Sequence, residues 1–193
     1  LVAVELTDRW MLKWFDSVES VGLYGSGYKL GGLVLIIVKS FNLNWQPYYL
    51  KNKENYKEGG FGKIGTSLIL VLISLCTFFS LAYPYIIQIR FYSFYLIGEA
   101  FWVGAKVIPI ISFSYLLYGL FILQMPSVYL KNKQIWLPVF WGLGFACNVV
   151  GNIFLIPLLS YMGAAVSTLI SYFVMSCFII YKNRLWMPVQ YSY

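Results

Sequence analysis

Gln134 to Tyr181 reads QIWLPVFWGLGFACNVVGNIFLIPLLSYMGAAVSTLISYFVMSCFIIY, without one Asp, Glu, Lys or Arg. A helix crosses the hydrocarbon of a bilayer in about 20 residues at about 1.5 Å per residue. This run is too long for one such helix and long enough for two. Pro157, Ser160 and Gly163, in PLLSYMG, are turn signals, and they divide it into a hairpin, Ile135–Ile156 and Gly163–Tyr181. Continuous apolarity, rather than the alternation of a barrel strand, makes the class all-α and transmembrane.

The same reading extends upstream. Leu30–Leu50, Ile64–Ile89 and Val107–Leu130 are each long and apolar enough to cross, and Leu1–Phe15 looks like the last half of a further helix. The chain opens in mid-phrase, LVAVELTDRW, with no secretory signal pattern, and reads as the C-terminal piece of a longer protein. Composition agrees: of 193 residues 60% are hydrophobic and only 11% charged, against about a quarter charged in soluble domains.

Charge then orients the helices. The connections Lys51–Lys63, Lys131–Lys133 and Lys182–Arg184 hold four, two and two basic residues; the alternate ones, Asp16–Lys29, Arg90–Lys106 and Pro157–Gly163, hold one, two and none. Positive connections stay in the cytoplasm. This places 51–63, 131–134 and the C-terminus on the cytoplasmic side of the membrane. The pentapeptide YLKNK, at Tyr49–Lys53 and again at Tyr129–Lys133, would then end two helices running in the same direction. It is open whether the repeat is ancestral, as repeats in transporters often are, or a generic Tyr-then-Lys interfacial ending.

The net charge of +7 does not indicate nucleic acid, because the basic residues punctuate apolar runs instead of clustering on a soluble face. With no histidine and no CxxC spacing, a zinc site is not expected; Cys76, Cys147 and Cys177 read as buried small hydrophobes. No paired carboxylates suited to general acid–base chemistry stand at membrane depth, so an enzyme is not expected, nor a cofactor.

Ionisable groups at membrane depth are costly and mark function. Lys39 lies near the middle of Leu30–Leu50, too far from either end to snorkel easily, and shares a helix face with Asn42 and Gln46 in KSFNLNWQP. Asp8 and Arg9, in LTDRW, lie one to two turns inside the boundary marked by Asp16 and Glu19. Being adjacent, they cannot face each other on a helix, so each needs another partner. Lys13 extends the Arg9 face, and these two cations either line a cavity or anchor the helix at the interface. Asn148 and Asn152, one turn apart, are placed to hydrogen-bond across helices, and Gly142, Gly144 and Gly163–Ala165 form small-residue packing faces. The glycines of VGLYGSGYKLGG suit close approach or a kinked helix start.

Two stretches carry a family resemblance. TDRWMLKWFDSVESVGLYGSGYKLG (7–31) resembles the DR…L…VG-Y…AYK signature of Wzx-type oligosaccharide flippases, and GNIFLIPLLSYMGAAVSTLISY (151–172) resembles their late N-x-x-L-I-P…G-A-A…T…S-Y motif. The flippases belong to the multidrug/oligosaccharidyl-lipid/polysaccharide exporter superfamily, and the resemblance covers essentially the whole chain. It implies a MATE-like fold of two six-helix bundles, of which residues 1–193 would be the second (helices at about 1–15, 30–50, 64–89, 107–130, 135–156 and 163–181), the N-terminal bundle being its partner. It further implies alternating access, in which an undecaprenyl-pyrophosphate-linked oligosaccharide crosses the bacterial inner membrane around a cationic cavity, driven by counterflow of a coupling ion. Asp8 and Arg9 match the family's DR. The substrate-contacting set expected is therefore Lys39 and Arg9 as charges, Asn42 and Gln46 as hydrogen-bond partners to sugar, and Asp8. The rival readings are a drug or lipid exporter of the same superfamily, whose cationic cargo would call for an acidic cavity, and an O-antigen polymerase or ligase, which generally presents a large outer loop. A non-transporting membrane scaffold is the third.

Overall fold

A computed structural model describes residues 2–53, 60–91, 94–95 and 97–187. The middle of the Lys51–Lys63 connection and the residues after Met187, both assigned to the cytoplasm by charge, lie outside the described residues. Among the described residues eight α-helices follow in order: α1 (Val2–Phe15), α2 (Val18–Gly31), α3 (Leu33–Lys51), α4 (Gly60–Ile86), α5 (Val107–Leu123), α6 (Met125–Leu130), α7 (Leu137–Leu159) and α8 (Tyr161–Trp186). Between α4 and α5 lie a two-residue antiparallel ladder, Arg90–Phe91 with Phe94–Tyr95, and a 3-10 helix, Glu99–Lys106.

Four helical stretches, Gly60–Ile86, Glu99–Leu130, Gln134–Leu159 and Tyr161–Trp186, are long and apolar enough to cross a membrane; α2 and α3, bent by 47°, make a fifth if counted as one span. The 27 residues of α4 extend about 40 Å. Large apolar side chains such as Phe78, Leu81, Phe154 and Leu158 face outward on α4 and α7. Contiguous apolar surface of this kind needs a cover, and hydrocarbon supplies it.

The helix α5 is the hub, packing against α8, α4, α3 and α2. Its Ile108, Ile111, Tyr115 and Phe121 are buried, and Ser112 and Ser114 join them, Ser114 donating to Ile110 O. Where α5 gives way to α6, Asn183 Nδ2 donates to Gln124 O at 2.9 Å and to Gln124 Oε1 at 2.8 Å, and Ser127 Oγ donates to Asn183 Oδ1. Buried backbone groups freed by a break must find partners; these side chains supply them.

The hairpin expected at PLLSYMG is present, and tighter than its motif required. α7 ends at Leu159, α8 starts at Tyr161, and Ser160 alone makes the turn at φ 54°, ψ −137°. Ser160 Oγ donates to Asp16 Oδ2 and lies 3.1 Å from Ser20 Oγ, fastening the α7–α8 turn to the α1–α2 turn.

Two expectations are corrected. Of the three cysteines read as buried only Cys76 is, Cys147 being half-buried and Cys177 exposed. Asp16–Lys29, read as a connection, is a helix. Ser17 caps it, its Oγ accepting from Ser20 N at 3.1 Å. Intrinsic propensity argues against a helix rich in glycine, and packing overrides it. A Cβ on Gly27 would run into Gly104 O, and one on Gly104 into the Leu23 carbonyl, so the two backbones touch. The α2–α3 bend falls at Gly32, and Gly31 rests against Ile108 and Ile111 of α5. Lys29 is therefore a helix residue, three turns in from the Asp16 turn, and not a loop charge.

Both copies of YLKNK end helices at the same end of the bundle. The Tyr49 and Tyr129 rings, the first residue of each copy, lie 6.0 Å apart where α3 packs on α6. At that end Lys182 Nζ also sits 4.1 Å from the centre of the Trp136 ring, a cation–π contact. Cysteines introduced at Asn52 and Asn132, after removal of Cys147 and Cys177, are expected to react with an impermeant maleimide from one and the same side of the membrane. Labelling from opposite sides would contradict this arrangement.

Candidate functional site

α1 turns two different faces to the rest of the molecule, and its two neighbouring charges part company. Asp8 is fully buried, at 0% exposure. Four side chains from three other helices close on its carboxylate. Tyr24 Oη of α2 donates to Oδ2 at 2.7 Å, and Thr168 Oγ1 of α8 donates to the same oxygen at 2.6 Å. Asn148 and Asn152 of α7 donate through Nδ2 to Oδ1 at 2.9 and 2.7 Å. All four partners are neutral.

The chemistry of this nest is specific. An ionised carboxylate offers about four lone-pair positions, and four donors occupy them. A buried carboxylate held only by neutral dipoles carries a full negative charge without a counter-charge, an expensive arrangement at low dielectric. Such a group gains from taking up a positive charge, either a proton or a small cation. The means for the second lies alongside: Asn152 Oδ1 is buried without a hydrogen-bond partner, and Asn148 Oδ1, which accepts from Asn152 Nδ2 at 3.3 Å, and Thr168 Oγ1 are further oxygens within the nest. Rotation of the Asn152 amide, whose O and N positions are interchangeable in shape, would turn an oxygen toward Asp8.

Arg9 points to the surface between α1 and α2. Its guanidinium carbon lies 5.9 Å from the centre of the Tyr28 ring. It lines a cleft of about 530 Å³ together with Lys29, Ser26, Gly22, Gly25 and Phe101. Lys29 and Ser26 come from the segment that sequence alone read as a loop. Among the described residues lining the cleft there are two cations and no carboxylate. Gly25 forms part of its floor, and a Cβ there would meet nothing within 4 Å.

Glu5 is a further acid that the sequence reading passed over. It is three residues from Asp8, hence on the same side of α1. Tyr115 Oη donates to Glu5 Oε1 at 3.3 Å, and the Tyr115 and Tyr28 hydroxyls are hydrogen-bonded to each other. Spacing from Asp8 was the available signal.

The sites expected from sequence are thus brought together only in part. Asp8 and Arg9 sit side by side on one helix, about 100° apart around it, Asp8 in the nest and Arg9 on the cleft. Asn148 and Asn152 do bond across helices, with Asp8 as the acceptor. Lys39 is exposed on α3, Asn42 and Gln46 are half-buried on the same helix, and the cleft that Arg9 lines includes none of the three. α3 packs on α5 and buries Val34, Leu35 and Val38; Lys39 and Asn42 each lie one turn from this stripe, at its edge. Comparison of the chain with protein-family models, with curated proteins and with solved structures finds no match.

Proposed function

We propose that the chain is the C-terminal bundle of a flippase that moves a lipid-linked oligosaccharide across the bacterial inner membrane, coupled to a counter-moving cation. The observation that carries this reading is the split of Asp8 and Arg9. One helix presents a counter-charge-seeking carboxylate to the interior and a cation to an open cleft. A change of occupancy at Asp8 alters the packing of α1 against α2, α7 and α8; α1 contributes Arg9 to the cleft, and α2, which also donates Tyr24 to the nest, supplies most of the rest of its lining.

In this reading Arg9 and Lys29 hold the pyrophosphate. Arg supplies a planar fork suited to phosphate oxygens, and Lys a mobile point charge. Asp8 with Asn148, Asn152, Tyr24 and Thr168 receives the driving cation, a proton or a monovalent metal ion, as substrate. Rigid rocking against an N-terminal bundle would then expose the cleft alternately to each side. Two cations and no carboxylate in the described lining support an anionic cargo over the cationic drug of the rival exporter reading. Lys39, Asn42 and Gln46 would act from α3 only in a conformation, or with a partner bundle, that brings them to the same path.

Arg9→Gln in the full-length protein, expressed in a strain dependent on it for surface glycan, is expected to reduce export at least tenfold with normal membrane insertion. The same is expected of Lys29→Gln, and a smaller loss of Lys39→Gln. Normal export by Arg9→Gln and Lys29→Gln together would overturn the cleft as the route of an anionic substrate.

A further inference from the structure

The basic cleft has an aromatic extension. Trp10 and Trp14 are one turn apart on α1 and are 65% and 78% exposed. Both line a second hollow, of about 380 Å³, that shares Arg9 and Val21 with the first. Lys13, one turn beyond Arg9, completes the same face.

Exposed tryptophans near a helix end commonly serve as an interfacial belt. Here, however, Arg9 belongs both to the tryptophan-lined hollow and to the basic cleft, so the indoles continue the surface of the cleft. The four side chains alternate in type along one surface: Arg9, Trp10, Lys13, Trp14. The complement of such a surface is a ligand with anionic groups beside flat faces of C–H bonds. Phosphate next to a sugar ring has that chemistry, for pyranose faces stack on indole while the hydroxyls and acidic groups at the ring edge meet the cations. Exposed, rigid indoles supply this contact at low entropic cost.

We propose that Trp10 and Trp14 are the sugar-stacking platform of the site, reading the glycan next to the phosphate held at Arg9 and Lys29, with Lys13 meeting the sugar's polar edge. This rests on the flippase reading and adds to it the residues that distinguish a glycan-bearing lipid from a bare one. The cleft alone would hold any prenyl pyrophosphate; the platform confers preference for the loaded form.

The test uses full-length protein in nanodiscs and two probes, undecaprenyl pyrophosphate and the same lipid bearing a short oligosaccharide. Trp10→Ala and Trp14→Ala are each expected to weaken binding of the glycan-bearing probe about fivefold, within the range of one aromatic contact. Binding of the bare pyrophosphate should change less than about twofold. Trp10→Phe should keep most of the affinity. Unchanged binding of the glycan-bearing probe overturns the platform, and so does an equal loss for both probes, which would mark the indoles as interfacial anchors. Arg9→Gln separates this from the parent reading: loss of both probes supports the cleft, and retention of both overturns the cleft whatever the tryptophans do.

Discussion

Replacing Asp8 by alanine is expected to cost on the order of 4 kcal/mol of stability and to abolish transport, whereas Asp8→Asn should abolish transport and keep the fold. The alanine leaves Tyr24 Oη, Thr168 Oγ1 and the two asparagine amides without their common acceptor. An unsatisfied buried polar group costs about 1–3 kcal/mol, and water entering the small hole recovers part of that. Asparagine is close to isosteric. Its Oδ1 can accept from Asn148 and Asn152, while its Nδ2 donates to the Tyr24 and Thr168 hydroxyls, which rotate to accept. The expected cost is about 1 kcal/mol, with the charge removed. Melting of the purified variants in detergent, set beside glycan export in cells, reads both quantities. Equal destabilisation by the two variants would contradict the nest as a hydrogen-bonded unit, and normal export by Asp8→Asn would remove the carboxylate from the mechanism.

Gly163→Ala is expected to be, with changes at Gly27 and Gly104, among the most damaging single methyls in the described residues. A Cβ at Gly163 would fall far inside van der Waals contact of the Leu155 carbonyl and close to Ile156 N, so rigid backbone would have to move. Overpacking of this kind costs about 1–3 kcal/mol and at times more. It would also act at a distance, because Gly163 sits one residue-turn from the Ser160 corner and five residues before Thr168. Prising α8 from α7 moves Thr168 away from Asn148 and Asn152 and loosens the shared grip on Asp8. Gly142→Ala is the control: nothing lies within 4 Å of its added Cβ. Relief of the glycine penalty should make it neutral or stabilising by up to about 1 kcal/mol. A lower melting temperature and weakened export for Gly163→Ala, against no loss for Gly142→Ala, is the expected pair of results. Equal behaviour would show that the hairpin can open without consequence.

Apolar length alone was enough to read the hairpin of α7 and α8, because an uncharged run interrupted by PLLSYMG admits few other folds. The asparagines a turn apart on α7 were likewise legible as cross-helix donors. Their acceptor was not: Asp8 lies 140 and 144 positions away in sequence, and nothing local distinguishes Tyr24 or Thr168 from other hydroxyls of the chain. α2 was misread for a physical reason. One of the glycines that lower its intrinsic propensity, Gly27, is the one that lets its backbone touch the 3-10 helix at Gly104, so a feature that hid the helix also holds it. Lys29 was lost with it. Lys39 stood out because it interrupts an apolar stretch, yet its side chain is exposed on α3, at the edge of the buried stripe. Depth in a span was readable from sequence; direction around the helix was not.

The central claim is that the Asp8 nest and the Arg9 cleft are coupled through α1, and linkage tests it most directly. If a cation at Asp8 alters the cleft, binding of a pyrophosphoryl lipid must respond to that cation, and reciprocally. The measurement is the affinity of full-length protein in nanodiscs for undecaprenyl pyrophosphate, titrated against pH and against sodium, for the native sequence and Asp8→Asn. A change of about tenfold along one of the two axes in the native protein, absent in Asp8→Asn, is predicted, at the scale typical of such couplings. The same dependence in both proteins, or none in either, would contradict the account.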